Sequence, residues 1–237
     1  MLFSLLINTG CAQTSMNSEN KISMTNNIKV EIWSDFMCPF CYLGKRNFEQ
    51  ALSKCTSKDS VTIVWKSFQL MPELKTDTTV NIHRFLAKAK GWSLETATQM
   101  NDRVGAAAKV AGLTYNYDVM KVANTFLAHC YSHYALQKGK QSEVEEQLFR
   151  AYFTEGKNLD DITTLTSLGG ELGFDKVELE KALRSGQFSS AVQYDIQQAE
   201  QMGINGVPFF LINGKYTVSG AQPSEVFLET LERAAKE

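Results

Sequence analysis

Residues 28–33, Ile28-Lys29-Val30-Glu31-Ile32-Trp33, alternate apolar and polar side chains, the period of two that predicts a strand. Ser34-Asp35-Phe36-Met37 reads as a turn, and Cys38-Pro39 opens a helix, since proline suits the first helical position, where a missing N–H costs nothing. Phe40, Leu43, Phe48, Ala51, Leu52 and Cys55 are spaced as one apolar helix face. Residues 61–68 read as a second strand. These pieces make a strand–helix–strand unit whose helix begins at a cysteine.

Over residues 81–186 the apolar period becomes helical and no strand pattern appears. Leu94, Ala97, Val104, Ala108 and Ala111 form one stripe, which stops at Gly112. Ala123, Phe126, Leu127, Cys130, Tyr131, Tyr134 and Ala135 form a wider one. Helices are predicted over 143–153, 161–172 and 175–183. Asp175 with Glu178 has capping-box spacing, and Gly173 and Gly186 are stop signals. After a helix over 190–202, a strand over 207–212, the hairpin turn Asn213-Gly214, a return strand over 215–219 and a last helix from Pro223 restore the mixed pattern. The expected organisation is a discontinuous α/β domain, residues 28–80 and 187–237, interrupted by an all-helical insertion, residues 81–186.

Composition narrows the function classes. The chain has 237 residues, 43% hydrophobic and 21% charged, enough to build a core. Its 24 basic residues against 26 acidic ones, with no basic run, give no electrostatic case for nucleic acid. No apolar stretch is long enough for a membrane helix. Five cysteines are too few for a disulfide-stapled scaffold. Residues 1–27 are different in kind, a flexible extension or a weak signal-like segment. Leu2 to Ile7 is apolar but lacks the basic start of a signal peptide. Thr9-Gly10-Cys11 resembles a lipoprotein cleavage site, with Asn8 where such sites carry an aliphatic residue, and Met24 is an alternative start. The expectation is a cytoplasmic protein, the alternative one that is exported or lipid-anchored through Cys11.

Cys38-Pro39-Phe40-Cys41 carries the strongest chemical signal. Two thiols at this spacing on a helix start can close a disulfide without moving the backbone. The first faces the free N–H groups and the positive end of the helix dipole. Both favour a thiolate, so the Cys38 pKa is expected below the ordinary value of about 8.5, in the range of roughly 3.5 to 7.5. Lys45 and Arg46 would add to this by folding back. Cys38 is the expected attacking thiol and Cys41, deeper in the helix, the resolving one. Zinc would need a second ligand pair; there is no second Cys-x-x-Cys, and His129–His133 lacks the metalloprotease glutamate. No metal is expected. Gly206-Val207-Pro208-Phe209 places a proline at a strand start, where it cannot donate to the ladder. A cis Val207–Pro208 bond beside the dithiol would expose the Val207 backbone to a bound substrate; a trans edge proline is the alternative. Cys55 and Cys130 are expected in the core and Asp35 in the turn. Asn124, Thr125 and His129 either face the active-site groove or pack.

Taken with Phe68-Gln69-Leu70-Met71-Pro72, Ala123-Asn124-Thr125-Phe126-Leu127-Ala128-His129, Leu148-Phe149-Arg150-Ala151-Tyr152-Phe153 and Ser219-Gly220-Ala221-Gln222-Pro223, these motifs resemble the thioredoxin superfamily. Within it the chain is most similar to the DsbA group and its FrnE-like branch, related to 2-hydroxychromene-2-carboxylate isomerases and kappa-class glutathione transferases. The resemblance runs from residue 28 to 237. It implies a thioredoxin fold, a central mixed sheet flanked by helices with a helical insertion, and thiol–disulfide oxidoreductase activity with no bound cofactor. It carries over Cys38 and Cys41 as the redox pair and Pro208 as the cis-proline, with Pro39, Phe40 and Val207 at the substrate side. Phe40 stands where this branch commonly has tryptophan. Expected substrates are protein or small-molecule thiols and disulfides, with glutathione as a candidate co-substrate. The competing readings are a glutathione-dependent isomerase or transferase and a chaperone-like peptide-binding module. The redox partner and the oligomeric state have no signature in the sequence.

Overall fold

The computed structural model describes residues 27–236, so both readings of the N-terminal segment, with Cys11, lie outside the described residues. Strand β1 (Ile28–Ser34) runs parallel to β2 (Val61–Ser67), in a register pairing Ile28 with Val61 and Ser34 with Ser67. On the other edge of β1, β3 (Phe209–Ile212) is antiparallel, and β4 (Tyr216–Ser219) is antiparallel to β3. The sheet order is β2-β1-β3-β4. Asn213 and Gly214 both take positive φ, 53° and 65°, as a type I′ hairpin turn requires. The strand expected from residue 207 begins at Phe209, because Pro208 has no N–H for the ladder.

Helices α1 (Pro39–Lys54) and α9 (Ser224–Ala234) pack on one face of the sheet. Alternation along β1 sends Ile28, Val30 and Ile32 into this layer, where they meet Phe48, Phe210 and Phe227. The expected face of α1 is only partly observed: Phe48 and Ala51 are buried, but Phe40 is 48% exposed and Cys55 lies just past the helix end, buried in this same core. The opposite sheet face is covered by α8 (Ser189–Gln201), with Trp33 donating its indole N–H to the Asp195 carbonyl at 3.0 Å.

Between β2 and α8 come six helices: α2 (Ile82–Lys90), α3 (Leu94–Val110), α4 (Phe126–Gln137), α5 (Gln141–Phe153), α6 (Ile162–Glu171) and α7 (Lys176–Arg184). Side chains cap four of their N-termini, Asn81, Ser93, Asp161 and Asp175 each accepting from backbone N–H groups of the first turn. The Asp175 box is half formed: Asp175 Oδ1 accepts from Glu178 N at 2.9 Å, while the Glu178 carboxylate turns to Lys138. Of the wider stripe, Cys130, Tyr131, Tyr134 and Ala135 are buried on α4; Phe126 and Leu127 pack on the same core half-buried, and Ala123, fully buried, precedes the helix, which starts at Phe126. The predicted stripes omit the short α2, although Ile82, Phe85, Leu86 and Ala89 have helical spacing and its apolar face packs on the helical core.

Candidate active site

The turn after β1 presents the dithiol. Asp35, fully buried, accepts from Met37 N (3.4 Å) and Leu70 N (2.8 Å), while its carbonyl accepts from Cys38 N (3.0 Å). Its carboxylate therefore fixes the entry to α1 and ties it to the loop after β2. Cys38 is the N-cap of α1, with no side-chain cap and with Pro39 at the first helical position. No side chain caps the first turn: Cys41 N donates to the Cys38 carbonyl at 3.0 Å, leaving the Cys38 sulfur at the positive end of the helix.

Cys38 and Cys41 are both free thiols, Cys38 4% exposed and Cys41 fully buried. Burial, and then the adjacent Cys38, push the Cys41 thiol well above its ordinary value. Facing Cys38 is the Val207–Pro208 peptide, which is cis. The Cys38 thiol donates to the Val207 carbonyl at 3.5 Å. Cys38, Pro39, Phe40 and Val207 line one cleft of about 420 Å³, largely apolar, closed over by α2 and α3. Pro208 itself is buried behind it, against α1.

Several positioning residues have no prominent signal in the sequence. Gly44 is one: a β-carbon there would lie 2.8 Å from Pro208 Cγ and 3.4 Å from Ala221 Cα, so glycine lets α1 approach the cis-proline loop. A glycine inside a helical stripe, which costs helix stability, is the sign that could have marked it. Tyr115, in the loop after α3, donates its hydroxyl to the Pro39 carbonyl at 2.6 Å, gripping the turn between the two cysteines. Tyr42 stacks on Phe149 of α5, centroids 5.0 Å apart and planes 6° apart, and its hydroxyl donates to Glu146 at 2.7 Å.

Lys45 and Arg46 do not fold back towards the thiols. Their charged ends go to Glu49 and to Glu146 on α5, fastening α1 to the helical layer. Asn124, Thr125 and His129 are absent from the cleft lining. Asn124 binds the 69–76 loop, donating to the Pro72 and Leu74 carbonyls and accepting from Gln69 and Phe126 N. His129 is buried behind the turn, its Nε2 3.6 Å from Asp35 Oδ1 and its ring 4.8 Å from Phe36. His133 points elsewhere, to Asp195 and Ser67, so the two histidines do not converge. Among the described residues no three His, Cys, Asp or Glu side chains gather in a metal-holding group. Cys130 lies in the helical core, its thiol pushed up to about 11 by burial.

Comparison with known proteins agrees with this arrangement. A probable DsbA oxidoreductase from Streptomyces coelicolor, SCO1869, superposes with a TM-score of 0.82 at 34% identity, over 89% of this chain and 91% of that one. The uncharacterized protein YwbO of Bacillus subtilis is 28% identical over 211 residues, 88% of this chain and 98% of that protein. The fold is also shared, at TM-score 0.60 and 16% identity, with the cytosolic disulfide reductase DsbM of Pseudomonas aeruginosa determined with GSH, over 86% of this chain and 99% of that one. Residues 29–232 match the DSBA-like thioredoxin domain. With its mixed four-stranded sheet, its helical layer and a Cys-x-x-Cys pair at the head of α1, the chain belongs to the family of DSBA-like thioredoxin domains.

Proposed function

We propose that this chain is a thiol–disulfide oxidoreductase in which Cys38 attacks and Cys41 resolves. The observation that carries the reading is the asymmetry of the pair. Cys38 caps α1, lines the cleft and touches the Val207 carbonyl, while Cys41 is shut in and held protonated. The Cys38 thiolate attacks one sulfur of a substrate disulfide; that S–S bond breaks, a thiolate leaves and a Cys38 mixed disulfide forms. The Cys41 thiol gives its proton to the leaving side and attacks the Cys38 sulfur. A second substrate thiol is released, the Cys38–Cys41 bond closes, and two electrons have passed to the substrate. Run backwards, the oxidised pair accepts two electrons from a dithiol.

Membership of the family and the 34% identity to a probable DsbA oxidoreductase support the reaction class. Glutathione enters the proposal as a co-substrate that reloads the pair, and the cytoplasm as its setting; the DsbM relative, named as cytosolic and seen with GSH, lends the analogy. No helix of the described residues is long and apolar enough to cross a membrane. The test is reduction of a disulfide substrate by the prereduced protein. Cys38→Ser is expected to abolish it, whereas undiminished turnover by Cys38→Ser would end the proposal. Equilibration with glutathione redox buffers then gives the direction, since the more the reduced form is stabilised, the stronger the oxidant.

A further inference from the structure

We propose that the cleft beside Cys38 takes a low-molecular-weight disulfide that carries a bulky apolar group and an anionic substituent. This names the substrate class for the exchange reaction proposed above and rests on it.

The volume is the first argument. A cavity of about 150 Å³ holds one benzene, so the 420 Å³ here has room for two ring-sized groups beside the reactive sulfur. That is within the range of small-molecule sites, roughly 300 to 1,000 Å³. The second argument is chemical. Four methionines, Met37, Met71, Met100 and Met120, share the lining with Phe85 and Trp92. Thioethers are polarizable, adapt to ligand shape and contact aromatic rings favourably. A polypeptide strand threaded into the cleft would find backbone partners at Gly206 and Val207 but none along the methionine, Phe85 and Trp92 walls, each unpaired group at a cost. A small aryl or branched alkyl disulfide carries no such groups.

Charge supplies the third argument. Lys90, at the end of α2 and exposed, is the single charged side chain in the lining, and no carboxylate lies among the lining residues. A ligand whose apolar part fills the cleft and whose anionic group stays at the rim satisfies both features. The Val207 carbonyl, which accepts from the Cys38 thiol, marks where the scissile sulfur sits. The substrate S–S bond breaks as the Cys38–substrate bond forms, and the reduced Cys38–Cys41 pair supplies both electrons in a single turnover.

The experiment mixes prereduced full-length protein with 4,4′-dithiodibenzoate, with 2-hydroxyethyl disulfide and with insulin. Each rate is divided by that of dithiothreitol on the same compound. The normalised rate for the aryl dicarboxylate is expected to exceed that for 2-hydroxyethyl disulfide about tenfold or more, as burial of a ring implies, and to saturate. Lys90→Met, an exposed substitution, is expected to lower the aryl rate about two- to fivefold, an effect that salt removes in the wild type. Val104→Trp, which fills the cleft, is expected to reduce the preference itself. Equal normalised rates for the two small compounds would overturn this inference and leave the exchange reaction standing. Preferred reduction of insulin, lost in Val104→Trp, would make the cleft a polypeptide site and overturn it also. Reduction of none of the three would overturn the exchange reaction on which it rests.

Discussion

The layer between the sheet, α1 and α9 is closed by apolar side chains such as Ile28, Val30, Ile32, Phe210, Phe227 and Leu231, and no ionisable side chain of β1, β3, β4 or α9 is buried. The interior of the helical layer is different: beside Phe149, Phe153 and Tyr131 it buries His129, Ser132, Gln141, Glu145 and Gln147. Helix α1 belongs to both. Its second half, through Phe48 and Ala51, is part of the sheet core; its first turns, through Cys38, Cys41 and Tyr42, are part of the helical core. The sheet thus sets where the dithiol stands, and the inserted helices set what surrounds it. Tyr42, next to Cys41, is held by residues over a hundred positions away, stacking on Phe149 and donating to Glu146.

The sharpest way to break this comparison is to empty one core at a time. Phe210→Ala and Phe149→Ala each remove a fully buried ring and are expected to cost about 3–5 kcal/mol in urea unfolding. Only Phe149→Ala, which loses the stack under Tyr42 and the contact with Phe36, should also change the exchange rate per folded molecule. Equal rate changes in both variants would dissolve the distinction between the two interiors.

The pH dependence of stability sharpens it. Burial raises the Glu145 carboxyl to about 8, so it stays protonated in the folded chain between its unfolded value, near 4.5, and about 8. Across that window the unfolded state binds fewer protons. Stability therefore falls as pH rises, by at most about 1.4 kcal/mol per pH unit, and levels off above pH 8. Glu145→Gln is expected to flatten this slope and to be the more stable protein at pH 8, in urea titrations at several pH values. Parallel slopes for the two proteins would contradict the assignment. A smaller effect is expected from Tyr115→Phe, which deletes one hydrogen bond to Pro39, about 1 kcal/mol of stability. Its distinguishing readout is a shift in the reduction potential of the pair, which loss of packing elsewhere would not produce.

Local chemistry made the α/β half readable from sequence. Period-two alternation along β1, proline at the start of α1, and Asn213-Gly214 at the hairpin are all decided by neighbours a few residues apart. The helical layer was legible as helices through Asp161, Asp175 and the stop glycines, but its relation to the site was not. Tyr115 to Pro39, Tyr42 to Glu146 and His129 to Asp35 join residues separated by 76 to 104 positions, and periodicity carries no information on such pairs. Phe40 departs only from the stripe reading of α1, not from its expected place on the substrate side. Its spacing fits the α1 stripe, yet the helix start turns it into the cleft, where it remains half-exposed.

The most direct test of the account is peptide-resolved mass spectrometry of the Cys41→Ser and Cys38→Ser variants after brief incubation with a small disulfide. Cys41→Ser retains the thiol that lines the cleft and is expected to accumulate a mixed disulfide on Cys38, because the resolving step is gone. Cys38→Ser retains at the site only the buried, protonated Cys41 thiol, which is expected to stay unmodified in the peptide map. A stable adduct on Cys41 in the Cys38→Ser variant, with none on Cys38 in the other, would reverse the roles and contradict the account.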